Sequence, residues 1–153
     1  MKTPIKATRY IFFIKFIFII NVSYCQKDFS NILRSFDSTY GYSANNPIKL
    51  KDGNQQKSIA NSIIFVKGLK TVDDQSLNFV SRHAVMDPNY KKPLIRLTNR
   101  YTGMPLNGKL GLLDMYVFVT SHTKDTITLY IDIYNKGQIN LPIKLKWYEQ
   151  FTQ

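Results

Sequence analysis

The chain has 153 residues, 44% of them hydrophobic and 14% aromatic, with 21 Lys and Arg against 10 Asp and Glu. One cysteine in that length excludes a disulfide framework and any metal centre built from cysteine thiolates. The formal net charge of +11 favours anionic partners: lipid headgroups, lipopolysaccharide phosphates, acidic glycans or nucleic acid.

The N-terminus sets the expected compartment. MKTPIKATR is basic and free of acids, and it runs into the sixteen-residue apolar stretch YIFFIKFIFIINVSYC. This is the layout of a secretory signal peptide over residues 1–25. A membrane-spanning helix needs about 20 apolar residues; here Lys15 interrupts the run and Asn21 ends it. Ser23 and Cys25 occupy the small-residue positions of a cleavage site, so the mature chain is expected to begin at Gln26. The alternative is lipidation at Cys25, against which stands the bulky Tyr24 where a lipoprotein signal places a small residue. The expectation is an exported protein, periplasmic or at the cell surface, and anchored to the outer membrane in the lipidated case. Export argues against a nucleic-acid partner.

Residues 26–153 read as one domain, long enough to bury about two-thirds of its unfolded surface without cross-links. Without Lys2, Lys6, Arg9 and Lys15 it keeps 17 cations against 10 acids, a net +7. In DFSNILRSF, Phe29, Ile32, Leu33 and Phe36 recur at i, i+3, i+4 and i+7, which predicts a short helix over 28–36. Strand signals follow: NPIKL, SIIFVKGL, SLNFVSRHAVM, LIRLTNRY, LLDMYVFVT, TITLYIDIY and LPIKLKWYEQF are short β-branched and aromatic runs divided by turn residues. The expected fold is mainly β, an antiparallel sheet in a sandwich or barrel, with one short N-terminal helix.

The most explicit segment is LLDMYVFVTSHTKDTITLYIDIYN. Leu113, Met115, Val117 and Val119 alternate with polar or aromatic residues, as do Ile127, Leu129, Ile131 and Ile133, so both strands are expected to bury their odd-numbered side chains. A hairpin with both odd sets on one face needs an odd-numbered loop. Centring it on His122 pairs Asp114 with Tyr130 and avoids setting Asp114 against Asp132.

Catalytic motifs are absent: no nucleophile elbow, phosphate-binding glycine loop or His-Glu-x-x-His occurs. His83 shares the parity of Leu77, Phe79 and Val85 and is expected to face inward; His122 is expected in a turn. Neither has an acid or second histidine at metal-ligand spacing, so no metal or cofactor is expected. The constellation with chemical content is the expected outer hairpin face, Asp114 and Tyr116 beside Tyr130, Asp132 and Tyr134. Paired carboxylates on adjacent strands suit acid–base work on a sugar, with tyrosines as stacking surfaces; a solvated or helix-covered sheet face carries the same residue types.

TYGYSANNPIKL reads as an entry into the sheet. Gly41 permits a positive φ, Asn45 and Asn46 suit a turn, and Pro47 holds Asn46 extended before a strand. With GLLDMYVFVTSHTKDTITLYIDIYNKG, this segment resembles small exported proteins and lipoproteins of Bacteroidota whose function is unknown; the likeness covers residues 38–50 and 108–137. Members of that family carry cysteines after a basic pair, whereas SRHAVMD here has none. Some are labelled 2-dehydro-3-deoxyphosphooctonate aldolase. That activity belongs to a TIM barrel of about 250 residues with alternating strands and helices, and this chain has neither the length nor the rhythm.

The resulting expectation is an exported, non-enzymatic binding or interaction domain of the cell envelope. The alternative is a small envelope hydrolase or carbohydrate-binding module using the Asp114/Asp132 face.

Overall fold

The computed structural model describes residues 27–92, 94–95, 97–103 and 111–148. The signal segment, Cys25, Gln26 and the end of the last apolar run lie outside the described residues. The chain is mainly β, with β1 (Ile48–Lys49), α1 (Gln55–Lys67), β2 (Leu69–Thr71), β3 (Leu77–Met86), β4 (Leu112–Thr120), β5 (Thr126–Asp132) and β6 (Leu145–Trp147). A four-stranded sheet has the order β1-β5-β4-β3, and β2 pairs with β6 in a second sheet. Among the described residues the larger sheet does not close: β1 and β3 are its edges. Its pairs are antiparallel except β1 with β5, which run parallel.

The helix lies elsewhere than the heptad stripe predicts. In residues 28–36 the Asp28 carboxylate takes the Ser30 N–H at 2.8 Å, a local turn that competes with helix formation. The backbone of Leu33 and Ser35 then bonds to Leu141 at 2.9 and 2.8 Å. Of the four stripe residues only Phe29 is fully buried; Leu33 and Phe36 are 73% and 99% exposed. SIIFVKGL, predicted as a strand, instead forms the C-terminal half of α1, its Gly68 cap and the first residue of β2. Asn54 caps the helix by accepting the Lys57 N–H at 2.8 Å, and the Gly68 N–H closes its last turn on Ile64. Its buried face is Ser58, Asn61, Ser62, Phe65 and Val66, three of the five polar, while Ile63 is 39% exposed. No clean apolar stripe marks the helix in the sequence because small polar residues do much of the packing.

The core lies against one face of the larger sheet. Ile48, Leu129, Ile131, Tyr116 and Phe118 from that face meet Phe65 and Val66 of α1, Leu69 and Leu145 of the small sheet, and the N-terminal Phe29. Phe29 packs edge-on to Phe65 with ring centroids 5.2 Å apart and tilts against Trp147 at 5.8 Å. The odd-numbered side chains of β5 face this core, as expected. Those of β4 do not. Tyr116 pairs with Leu129 and Phe118 with Ile127, so the even-numbered β4 residues share the core face. The Thr120 N–H donates to the Asp125 carbonyl at 3.0 Å, leaving residues 121–124 as the loop, an even number. Lys124 there takes a positive φ of 62°. A one-residue change of register moves every side chain of a strand to the other face, and two aromatic rings fill the core better than Met115, Val117 and Val119.

The same parity rule fails in β3 for a different reason. The register shifts between Phe79 and Ser81, a bulge that puts Phe79 opposite Phe118 but His83 opposite Met115. His83 is therefore exposed on the far face and bonds Ser81 Oγ at 3.0 Å, rather than sitting in the core. His122 is exposed in the hairpin loop, as predicted.

TYGYSANNPIKL does organise the entry into the sheet. Gly41 has φ 78°, and a Cβ there would meet Pro142 Cγ at 2.9 Å. Its carbonyl accepts the Tyr130 N–H at 2.8 Å, and its own N–H donates to Asn46 at 2.8 Å. The buried Tyr40 hydroxyl donates to the Gln138 carbonyl at 3.3 Å and accepts the Asn140 N–H at 3.1 Å.

Candidate functional site

The hairpin register decides what the five sequence-predicted site residues can do. Asp114 stands opposite Ile131, not Tyr130, so Asp114 and Asp132 project from opposite faces of the sheet. Tyr116 is on the core side with Asp114, and Tyr130 is on the far side, opposite Met115, with Asp132. The proposed pair of carboxylates on one outer face does not form.

On the core side a cluster gathers around Arg82, a residue the sequence reading did not single out. Its Nη2 and Nε donate to the two Asp114 oxygens at 2.8 and 3.1 Å, and its guanidinium carbon lies 5.4 Å from the Tyr116 ring centroid. The bond to Asp114 holds the guanidinium more firmly protonated. The pair is partly open to solvent, so its net contribution is about 1 kcal/mol or less. Burial pushes the Tyr116 hydroxyl up, opposed by the Ser62 hydroxyl at 3.5 Å and by Arg82. Burial raises Tyr134 too, with Asp114 adding to the effect.

These tyrosines give the fold an alkaline limit. Tyr40, Tyr116 and Tyr134 all titrate above their ordinary value of 10.0 when folded, burial being the first cause in each. The unfolded chain therefore releases these protons first as pH rises, and the associated stability, complete below about pH 10, is lost as pH climbs through the folded values. Urea midpoints are expected to stay level up to about pH 9.5 and then fall, with a shallower fall in Tyr116→Phe. A midpoint unchanged to pH 11, or an identical fall in Tyr116→Phe, would contradict this account.

Asp132 is 2% exposed and fully engaged. One oxygen accepts the Tyr134 and Asn135 N–H groups at 2.8 and 2.9 Å, and the other accepts from the Asn135 amide at 2.8 Å. This turn forms one wall of a polar groove of about 380 Å³. Lys49 lines it from β1, where it pairs with Asp132 in the parallel register, and Asp87 and Asn89 line it from the turn after β3. Asn45, Asn46 and Pro47 of the entry segment complete it.

The groove side chains are held by their own bonds. The Asn46 amide donates to Asp37 at 2.7 Å and to Thr39 at 3.1 Å. The Asn89 amide donates to the Asn45 carbonyl at 3.0 Å, and Asp87 accepts the Asn89 N–H at 2.8 Å. The Thr39 N–H and hydroxyl, with Asn46, hold the Asp37 carboxyl below its ordinary range. Lys49 makes no ion pair among the described residues. A second hollow of about 290 Å³ lies beside the hairpin loop, where Thr71, Thr120, Thr123 and Thr126 surround Gln75.

Comparison with protein-family models, curated proteins and solved structures finds no match. Among the described residues no group of three or more His, Cys, Asp or Glu could hold a metal ion, and no helix is long and apolar enough to cross a membrane.

Of the five predicted residues, Asp132 lines the groove, Asp114, Tyr116 and Tyr134 belong to the Arg82 cluster, and Tyr130 lies on the far sheet face. The sequence signal that pointed to the groove was the Asn-Asn-Pro of the entry segment, which the sequence reading took as turn chemistry alone. Lys49, Asp87, Asn89 and Asn135 carried no signal, because only the fold brings them together.

Proposed function

We propose that this chain is an exported, non-enzymatic binding domain of the cell envelope, and that the amide-lined groove beside β1 holds a hydroxyl-rich ligand of the glycan class. The supporting observation is the groove's composition: the Asn46, Asn89 and Asn135 amides are fixed by their own bonds, while among the described residues the Lys49 ammonium makes no ion pair. Asn side chains both donate and accept, which matches hydroxyl groups that do the same. Fixed amides lose little entropy on binding. Export rests on the signal-like segment over residues 1–25 and on the likeness to exported Bacteroidota proteins. The two sheets share one core, in keeping with a sandwich-like architecture. The hydrolase alternative loses its support: Asp114 is held by Arg82, and Asp132 lies on the other side of the sheet bonded to backbone N–H groups.

The test is an NMR titration with soluble neutral and acidic oligosaccharides. Amide signals of Asn45, Lys49 and Asn89 are expected to shift. Lys49→Ala and Asn89→Ala should each weaken binding about 10-fold, the loss of one good hydrogen bond. Both side chains are exposed, so melting temperatures should not change. Shifts confined to another surface, or none across the panel, would remove this reading.

A further inference from the structure

The connection between β3 and β4 combines cations with exposed large apolar side chains. Between Asp87 and Asp114 the sequence holds five cations and no acid. Within it Leu94, Ile95, Leu97 and Tyr101 are 106%, 77%, 65% and 94% exposed. Lys91, Lys92 and Arg100 are exposed among them and form no ion pair with the described residues. Large apolar side chains held in water cost free energy, and monomers rarely gather several in one place without a partner to cover them.

The segment is tethered at its base and turned at Asn99–Gly103. The Asp87 N–H donates to the Gly111 carbonyl at 2.9 Å, joining the two ends of the excursion. Asn99 Oδ1 accepts the Tyr101 and Thr102 N–H groups at 2.8 and 3.1 Å, and the Gly103 N–H returns to the Asn99 carbonyl at 2.9 Å. This turn presents the Tyr101 ring outward beside Arg100. Aliphatic side chains between lysines and an arginine, with an amphipathic tyrosine at the edge, match a bilayer interface. The aliphatics enter the acyl boundary, the tyrosine sits at headgroup depth, and the cations meet lipid phosphates.

We propose that Lys91, Lys92, Leu94, Ile95, Leu97, Arg100 and Tyr101 form a docking surface for an anionic phospholipid bilayer. The charge decides between candidate occupants. A second copy of this chain, or a basic protein, would bring like charge to the same place, and a neutral apolar partner would leave Lys91, Lys92 and Arg100 uncompensated. The glycan groove does not enter this inference, and either can fail without the other.

The full chain also carries the apolar segment near its start, so the readout must be local. Trp147 is the natural tryptophan and packs, partly buried, against the core. In Tyr101→Trp a second indole reports the loop itself. With vesicles of phosphatidylglycerol and phosphatidylcholine, position 101 is expected to shift to the blue and to be quenched by brominated lipid, while Trp147 in the wild type stays unquenched. Leu94→Ser/Ile95→Ser and Lys91→Glu/Lys92→Glu should each abolish that quenching while the melting temperature is retained, since all four side chains lie outside the core. An indole at position 101 that stays unquenched on anionic vesicles overturns the proposal. Undiminished quenching in the serine variant, or equal quenching on pure phosphatidylcholine, overturns it as well.

Discussion

Phe118→Ala is expected to destabilise the fold by about 3–5 kcal/mol, and Val119→Ala, one residue on, by about 1 kcal/mol or less. Phe118 is 3% exposed and lies between its cross-strand neighbours Ile127 and Phe79. Its ring meets Phe79 edge-on with centroids 6.1 Å apart and stacks against Tyr116 at 6.2 Å. Truncation removes the ring's transfer energy and leaves a hole between two strands that cannot close without shifting the sheet. Val119 points to the opposite, half-exposed face, where Thr126 and Asn78 are its cross-strand partners. For a domain with a total stability of about 5–15 kcal/mol, the first variant approaches unfolding and the second is barely altered. Urea melts of both give the answer directly. Equal losses, or a larger loss in Val119→Ala, would mean that the hairpin has the odd-loop register after all.

That contrast also shows what the sequence carried. The strands around Leu77–Met86, Leu112–Thr120 and Thr126–Asp132 were legible because β-branched and aromatic runs between turn residues have few alternatives. Their facing was legible only in β5, where every second residue from Ile127 to Ile133 is aliphatic. In β4 both sets are apolar enough to be buried, and the choice fell to a loop whose length depends on Lys124 adopting a positive φ. In β3 a single bulge at Val80 reversed the parity and took His83 out of the core. The helix was misplaced because two local effects compete with periodicity: Asp28 captures its own turn in the expected segment, and serines rather than aliphatics line the buried side of α1. The candidate groove was the least legible part. Its walls come from the entry loop, β1, the turn after β3 and the turn after β5, and no spacing along a chain encodes that convergence.

Asp132→Ala should cost about 2–4 kcal/mol, and Asp132→Asn about 1 kcal/mol. The carboxylate is 2% exposed and bonds the Tyr134 and Asn135 N–H groups and the Asn135 amide. Alanine leaves two part-buried backbone donors without their acceptor, and a fully buried group of this kind costs about 1–3 kcal/mol. Asparagine keeps one carbonyl oxygen for those donors. Its amide nitrogen then confronts the Asn135 amide donor, a conflict that Asn135 relieves by turning its own oxygen inward. The effect reaches the groove, because Asn135 lines it and the Asp132 carbonyl accepts the Leu50 N–H at 2.8 Å where β1 leaves the sheet. The glycan binding proposed for the groove should therefore weaken in the alanine variant even at temperatures where it remains folded. The order of stability, wild type above Asn above Ala, is read from urea melts at neutral pH. An alanine variant within about 0.5 kcal/mol of wild type would mean that the turn holds without its carboxylate, and that the groove wall is set by the β1–β5 pairing alone.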